Sequence, residues 1–313
     1  MKRPFFTAWS LLFFVLLLAF PDTVFQGATS GLLLWFRTVL PTLLPFFIVS
    51  GFLIRTDAVI WISKWLSPFL CRIFRISPYG AFAMLCGFLC GYPMGAKTTA
   101  DLVREEKISP SEGNYLLSFC NNASPGYIAN FLAVQCLKSP SFTLPSVCLL
   151  LLVPMVCSLG FRRLFRSGNY RDEKPFSRQP APDSGNPCSA DDCIMDALEN
   201  IARIGGYIML FSILFSVLRL IPDPPFLIRL ILIPSLEMTN GAVYLCSLDL
   251  APAVKYALVI FLTSFGGFCC AAQTASVIRG TGLMFWPYMA EKLAAAVASS
   301  FLAFVFYPVF CTL

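Results

Sequence analysis

Histidine is absent from all 313 residues. With it go the commonest general base and the commonest metal ligand. Charge is scarce too: Asp, Glu, Lys and Arg make up 13% of the chain, where soluble domains carry about 25%. The 13 cysteines include no C-x-x-C pair, and most lie inside apolar runs, where cysteine acts as a small hydrophobe. The net charge of +6 is spread along the loops without a basic block interleaved with aromatics, which excludes nucleic-acid binding. These absences leave no catalytic constellation, no metal site and no cofactor to expect.

What is present is apolar: 57% of residues are hydrophobic, 15% aromatic, and the mean hydropathy is +0.73. An integral membrane protein follows. Lys2 and Arg3 precede an apolar run over 5–20, read as a retained first helix with its N-terminus in the cytoplasm. Residues 21–27 read as a short outer connection, and 31–54 as a second span loosened at Pro41 and Pro45. A stripe of Lys64, Ser67, Arg72 and Arg75 makes 59–75 an interfacial connector. Ser109 and Pro110 signal a new helix start, and that helix runs to Leu137. Residues 142–159 form a further span. The basic, Pro/Ser/Gly-rich stretch 162–192 reads as a cytoplasmic linker, in which Cys188 and Cys193 are close enough in sequence to pair. Spans at 194–220, 226–250, 255–279 and 283–310 complete the chain. Within them Glu199 and Arg203 read as a helix-surface pair, and Glu291 and Lys292 as side chains reaching for the interface.

The chain is organised around residues 91–99, Gly-Tyr-Pro-Met-Gly-Ala-Lys-Thr-Thr. Two glycines and a proline within five residues break a helix, and a lysine follows at once. The 80–107 segment is therefore expected to be a re-entrant hairpin, the device by which transporters build solute sites. Gly95, Lys97 and Thr98 look like a phosphate loop, but Ala96 stands where that pattern needs glycine, and no strand precedes it. Lys97 serves either as counter-charge to an anion or as partner to Asp101. Asn121, Asn122 and Ser124 mark a second break, supplying donors to a solute or satisfying freed backbone groups. A shift of 176 residues lays Gly91 on Gly267, Tyr92 on Phe268, Ala96 on Ala272 and Thr98 on Thr274, with Lys97 on Gln273. By the positive-inside count the two broken segments run in opposite directions. The expected fold is therefore an all-α polytopic membrane protein with inverted repeats. Gln273 and Thr274 join the candidate site by that symmetry. Glu237, with Thr239 and Asn240, is an acid in an apolar stretch: a coupling-ion or gating site, a partner for Lys97, or a helix cap.

Residues 91–125, GYPMGAKTTADLVREEKISPSEGNYLLSFCNNASP, resemble the signature of the YlbJ (SpoVV) sporulation membrane proteins, within the nucleoside-recognition or Gate domain group. The run Leu-Glu-Met-Thr-Asn-Gly at 236–241 is similar to that family's second-half pattern. The matching positions are Gly91, Pro93, Gly95, Lys97, Asn121, Glu237, Thr239 and Asn240; Tyr92 would supply a stacking face. The family commonly reads Asn-Thr-Ser-Gly-Pro where this chain has Asn-Asn-Ala-Ser-Pro at 121–125.

The resemblance implies a fold like that of concentrative nucleoside transporters. It also implies carriage of dipicolinic acid across the outer forespore membrane. Divided on that plan, 1–27 is an N-terminal helix, 28–161 a first Gate-like repeat with a connecting span, 162–192 the linker, and 193–313 a second, inverted repeat. The expected function is a secondary transporter of a small anionic solute, not an enzyme. The alternatives are a nucleoside or nucleobase transporter and a non-transporting scaffold in spore assembly. Expected partners are the solute and membrane lipid, with homo-oligomerisation left open.

Overall fold

The computed structural model describes residues 3–56, 58–59, 70–165 and 190–311, and every element among them is helical. The central part of the 59–75 stripe, most of the 162–192 linker and the Cys188–Cys193 pairing lie outside the described residues. Helix α1 spans Arg3–Ala19 and α2 spans Pro21–Arg55. The connection expected at 21–27 shrinks to Phe20. Pro21 sits at the start of a helix, where its missing amide costs nothing, and Asp22 in the first turn suits the helix dipole. Helix α2 passes through Pro41 and Pro45 by widening into a π-helical turn at Trp35–Val39, and Thr42 Oγ1 donates to the Thr38 and Val39 carbonyls. A wider turn relieves the clash between a proline ring and the carbonyl four residues before it.

The remaining helices are α3 (Pro78–Cys90), α4 (Met94–Arg104), α5 (Pro110–Cys120), the π-helical α6 (Tyr127–Cys136) and α7 (Thr143–Phe165). After the linker come α8 (Ala190–Leu218), α9 (228–236, π-helical over Ile228–Leu232), α10 (Met238–Ser247), α11 (Pro252–Phe265), α12 (Gly267–Val277) and α13 (Phe285–Phe310). Ser77 and Ser109 cap α3 and α5 by accepting from the Gly80 and Glu112 amides.

Among the described residues, five segments are long and apolar enough to cross a membrane: Pro21–Arg55, Pro140–Arg162, Ala190–Leu218, Pro252–Val277 and Phe285–Phe310. Their exposed faces carry Phe25, Phe36, Leu144, Val156 and Phe301, the surface that lipid requires. The chain is a multi-pass membrane protein.

Small residues set the closest approaches. On α2, a Cβ built at Gly27 would lie 2.8 Å from Ser216 Oγ, and one at Gly31 would lie 2.9 Å from Met209 Cα, so this G-x-x-x-G pair seats α8. Between α3 and α4 the chain folds back on itself: a Cβ at Gly87 would lie 2.9 Å from Gly95 Cα. The carbonyl of Cys120, at the end of α5, points into the gap between these glycines. The expected hairpin over 80–107 is thus a fold-back of α3 on α4, with Gly91 at φ 85° in its turn. The Gly266 break is different in kind: α11 packs along α13, while α12 turns away to pack on α8 and α4.

Candidate functional site: a buried junction of helix breaks

Four interruptions of helix meet in the interior. Each arises where the sequence denies a helix its next residue. Gly91 and Gly266 hold φ of 85° and 83°, a region that penalises any residue with a Cβ. Residues 121–124 leave the helix after Cys120, and Pro125 helps start the next one. Glu237 is extended, at φ −138° and ψ 120°, between α9 and α10.

Contacts between the breaks are direct. A Cβ on Gly91 would lie 2.7 Å from the Ser124 amide nitrogen, and one on Gly266 would lie 2.9 Å from Tyr92 Cζ. Tyr92 OH donates to the Ser264 carbonyl at 2.7 Å, tying the first break to the fourth. Asn121 Nδ2 donates to Thr274 Oγ1 at 3.1 Å and Tyr288 OH at 2.9 Å, and its Oδ1 accepts from the Ala96 amide at 3.4 Å. Ser124 Oγ accepts from the Tyr127 amide, which starts α6. Tyr92, Asn121, Asn122, Ser124 and Thr274, distant in sequence, are therefore brought together. Gln273 bonds within its own helix, to Cys269 Sγ, and the Thr98 hydroxyl is buried without a hydrogen-bond partner.

Lys97 stands apart from this junction. Its Nζ lies 2.5 Å from Asp101 Oδ2 and 5.4 Å from the Phe47 ring centre, and Asp101 also receives Arg104. The ammonium is matched one turn along its own helix. It lines a cavity of about 260 Å³ between α2, α4 and α8, shared with Arg55, Asp196, Glu199 and Arg203. Glu199 and Arg203 form the surface pair read from their spacing.

Glu237 caps α10. Its carboxylate accepts from the Thr239 amide at 3.1 Å and the Asn240 amide at 2.7 Å, while Asn240 Nδ2 reaches Ser212 Oγ at 3.2 Å. Of its three readings, the structure displays the cap. Replacing Glu237 with Ala is expected to cost about 1–2 kcal/mol and lower the melting temperature in detergent by roughly 2–6 °C. Glu237→Gln, which keeps an oxygen facing the two amides, is expected to melt close to the parent. Equal losses in both variants would show that the charge, not the cap, is what matters.

Lys292 was read as reaching for the interface, and the structure corrects this. It is 0% exposed. Its Nζ donates to the Asn121 carbonyl and to Asn122 Oδ1, each at 2.9 Å, and lies 4.9 Å from the Tyr92 ring centre. No carboxylate among the described residues is within ion-pair distance of it. Neighbouring Glu291 is also buried, with Oε2 unpartnered. The signal that could have found Lys292 was in plain view: a lysine inside a 26-residue apolar helix is costly unless something is built to meet it. Its place near the start of that helix made the surface reading look sufficient.

The helix breaks of this polytopic all-α protein therefore converge on a buried cation, Lys292. Residues 36–158 match the Gate family, described as "Nucleoside recognition". The chain is also similar to the sporulation integral membrane protein YlbJ of Bacillus subtilis (strain 168). The two are 27% identical over 327 residues, covering 93% of this chain and 79% of that protein. Both findings bear out the resemblance seen at 91–125. No solved structure matches the chain.

Proposed function

We propose that this chain is a secondary carrier for a small anionic solute, with Lys292 as the counter-charge at the junction of the helix breaks. One observation carries this reading: the Lys292 ammonium is fully buried, and among the described residues it meets neutral oxygens and a tyrosine face but no carboxylate. A cation so placed is stabilised when an anion arrives, and each added donor around it strengthens the pairing. The Ser264 hydroxyl, buried and without a partner, lies on the residue whose carbonyl Tyr92 OH contacts.

Within that class, dipicolinate fits the chemistry. It is a planar aromatic dianion, and Tyr92 offers a ring face beside the charge. This reading puts the chain in the outer forespore membrane; similarity to a sporulation integral membrane protein supports its sporulation part. The halves 28–161 and 193–313 act in this reading as inverted repeats about the junction. The N-terminus and the 162–192 linker face the cytoplasm, and labelling of single cysteines placed in that linker from outside would overturn the arrangement.

Uptake into liposomes holding the purified chain tests the function. Dipicolinate uptake well above that of empty vesicles, with uridine at background, is the expected result. The description "Nucleoside recognition" favours a second reading, and uridine uptake without dipicolinate uptake would establish it in place of the first. A non-transporting scaffold would move neither.

A further inference from the structure

A second cluster lies on the side of the molecule away from the linker. Helix α7 runs from Phe142 at this side towards the linker end, where α8 begins. Here a cavity of about 330 Å³ is lined by Cys136, Lys138, Cys246, Lys255, Tyr256 and Tyr307, among others. Cys136 ends α6 and Cys246 lies near the end of α10, two helices that pack on each other. Both side chains line this one cavity although 110 residues separate them in sequence. Lys255 Nζ donates to the Cys246 carbonyl at 3.0 Å, which fixes an ammonium beside this pair. Both thiols are free. No third His, Cys, Asp or Glu among the described residues joins them as a metal-binding group. Two thiols lining one cavity on packed helices and flanked by lysine are an arrangement in which thiol–disulfide exchange can proceed.

We propose that Cys136 and Cys246 are a reactive dithiol that exchanges with small disulfides entering this cavity, and that their oxidation locks α10 to α6. The Cys246 thiolate attacks a disulfide R–S–S–R. The Cys246–S–R bond forms as the R–S–S–R bond breaks, and one R–S⁻ leaves to take up a proton. The Cys136 thiolate then attacks the Cys246 sulfur, expels the second R–S⁻ and closes the Cys136–Cys246 bond. Two protein thiols are oxidised, and the reagent is reduced to two R–SH. The two lysines favour a reagent carrying carboxylates. The lock bears on function because α6 descends from the 121–125 break and α10 begins at Glu237, so both lead from the junction. That consequence rests on the carrier reading; the chemistry does not.

The test treats the full-length purified chain with oxidised glutathione and maps thiols by non-reducing peptide mass spectrometry, alongside liposome uptake. The expected product is a Cys136–Cys246 cross-link, with uptake falling at least tenfold and returning on reduction with dithiothreitol. Cys136→Ala and Cys246→Ser are expected to form no such cross-link and to keep their uptake under the same treatment. Cysteines left free, or trapped only as separate glutathione adducts, would overturn the dithiol. A quantitative cross-link with undiminished uptake would overturn the lock. A cross-link in a chain that moves no solute even when reduced would leave the dithiol standing and sink the carrier reading.

Discussion

Lys292→Gln is expected to lower anion uptake roughly a hundredfold while the protein still folds. Glutamine is close to lysine in length and can still donate to the Asn121 carbonyl, so the hydrogen bonding of the break is largely kept. What disappears is the charge. Truncating one member of a buried charge-assisted pair costs about 2–5 kcal/mol in binding, and roughly 3 kcal/mol corresponds to the hundredfold loss. Stability should move the other way or not at all, because an ammonium buried without a carboxylate carries a desolvation cost that the neutral amide avoids. Lys97→Gln is the control. Its charge is already matched by Asp101, and Arg104 remains to hold that carboxylate, so uptake should change no more than a few-fold. The reverse pattern, with Lys97 indispensable and Lys292 dispensable, would return the counter-charge to the first break. Initial uptake rates, normalised to folded protein in the vesicles, decide between them.

Gly87→Ala should abolish the folded state. The added methyl would sit 1.9 Å from the Cys120 carbonyl oxygen and 2.9 Å from Gly95 Cα. Both obstacles are backbone, so no rotamer change can relieve them, and either α5 must move or the α3–α4 fold-back must open. A clash of this kind belongs with the substitutions that cost more than about 4 kcal/mol. Gly206→Ala in α8 makes the comparison sharp. Nothing lies within 4 Å of a Cβ there, and alanine favours helix over glycine by about 0.5–1 kcal/mol. Size-exclusion profiles and melting in detergent are the measurements. A Gly87→Ala protein that elutes as one peak and melts within a few degrees of the parent would show that the close contact of α3, α4 and α5 is not needed.

The two variants probe what was hardest to see in the linear sequence. The break at 91–93 was visible because glycine and proline act on their own backbone, whatever surrounds them. The break at 121–125 was visible for the same reason. Glu237 was recognisable as special but not as a cap: whether a carboxylate meets a helix start or an ion depends on the backbone just after it. Lys97 stood out because it adjoins a conspicuous motif, yet its partner lay only four residues away. Lys292 adjoins no motif. Its significance comes from Asn121 and Asn122, some 170 residues earlier. The cavity that Cys136 and Cys246 share is hidden in the same way.

By itself the sequence determined the solvent and the grammar of this protein. Its low charge and long apolar runs commit it to a bilayer. Its glycines and prolines commit the helices to break at given residues, because φ preference and a missing amide are properties of the residue alone. Only the tertiary structure decided which breaks meet and which charge stands at their meeting point. The reason is that burial and pairing belong to neighbours, and these neighbours come from opposite halves of the chain. The α5 break and α13 hold Lys292 out of ion-pair distance of every described carboxylate, while Lys97 finds its counter-ion one helical turn away.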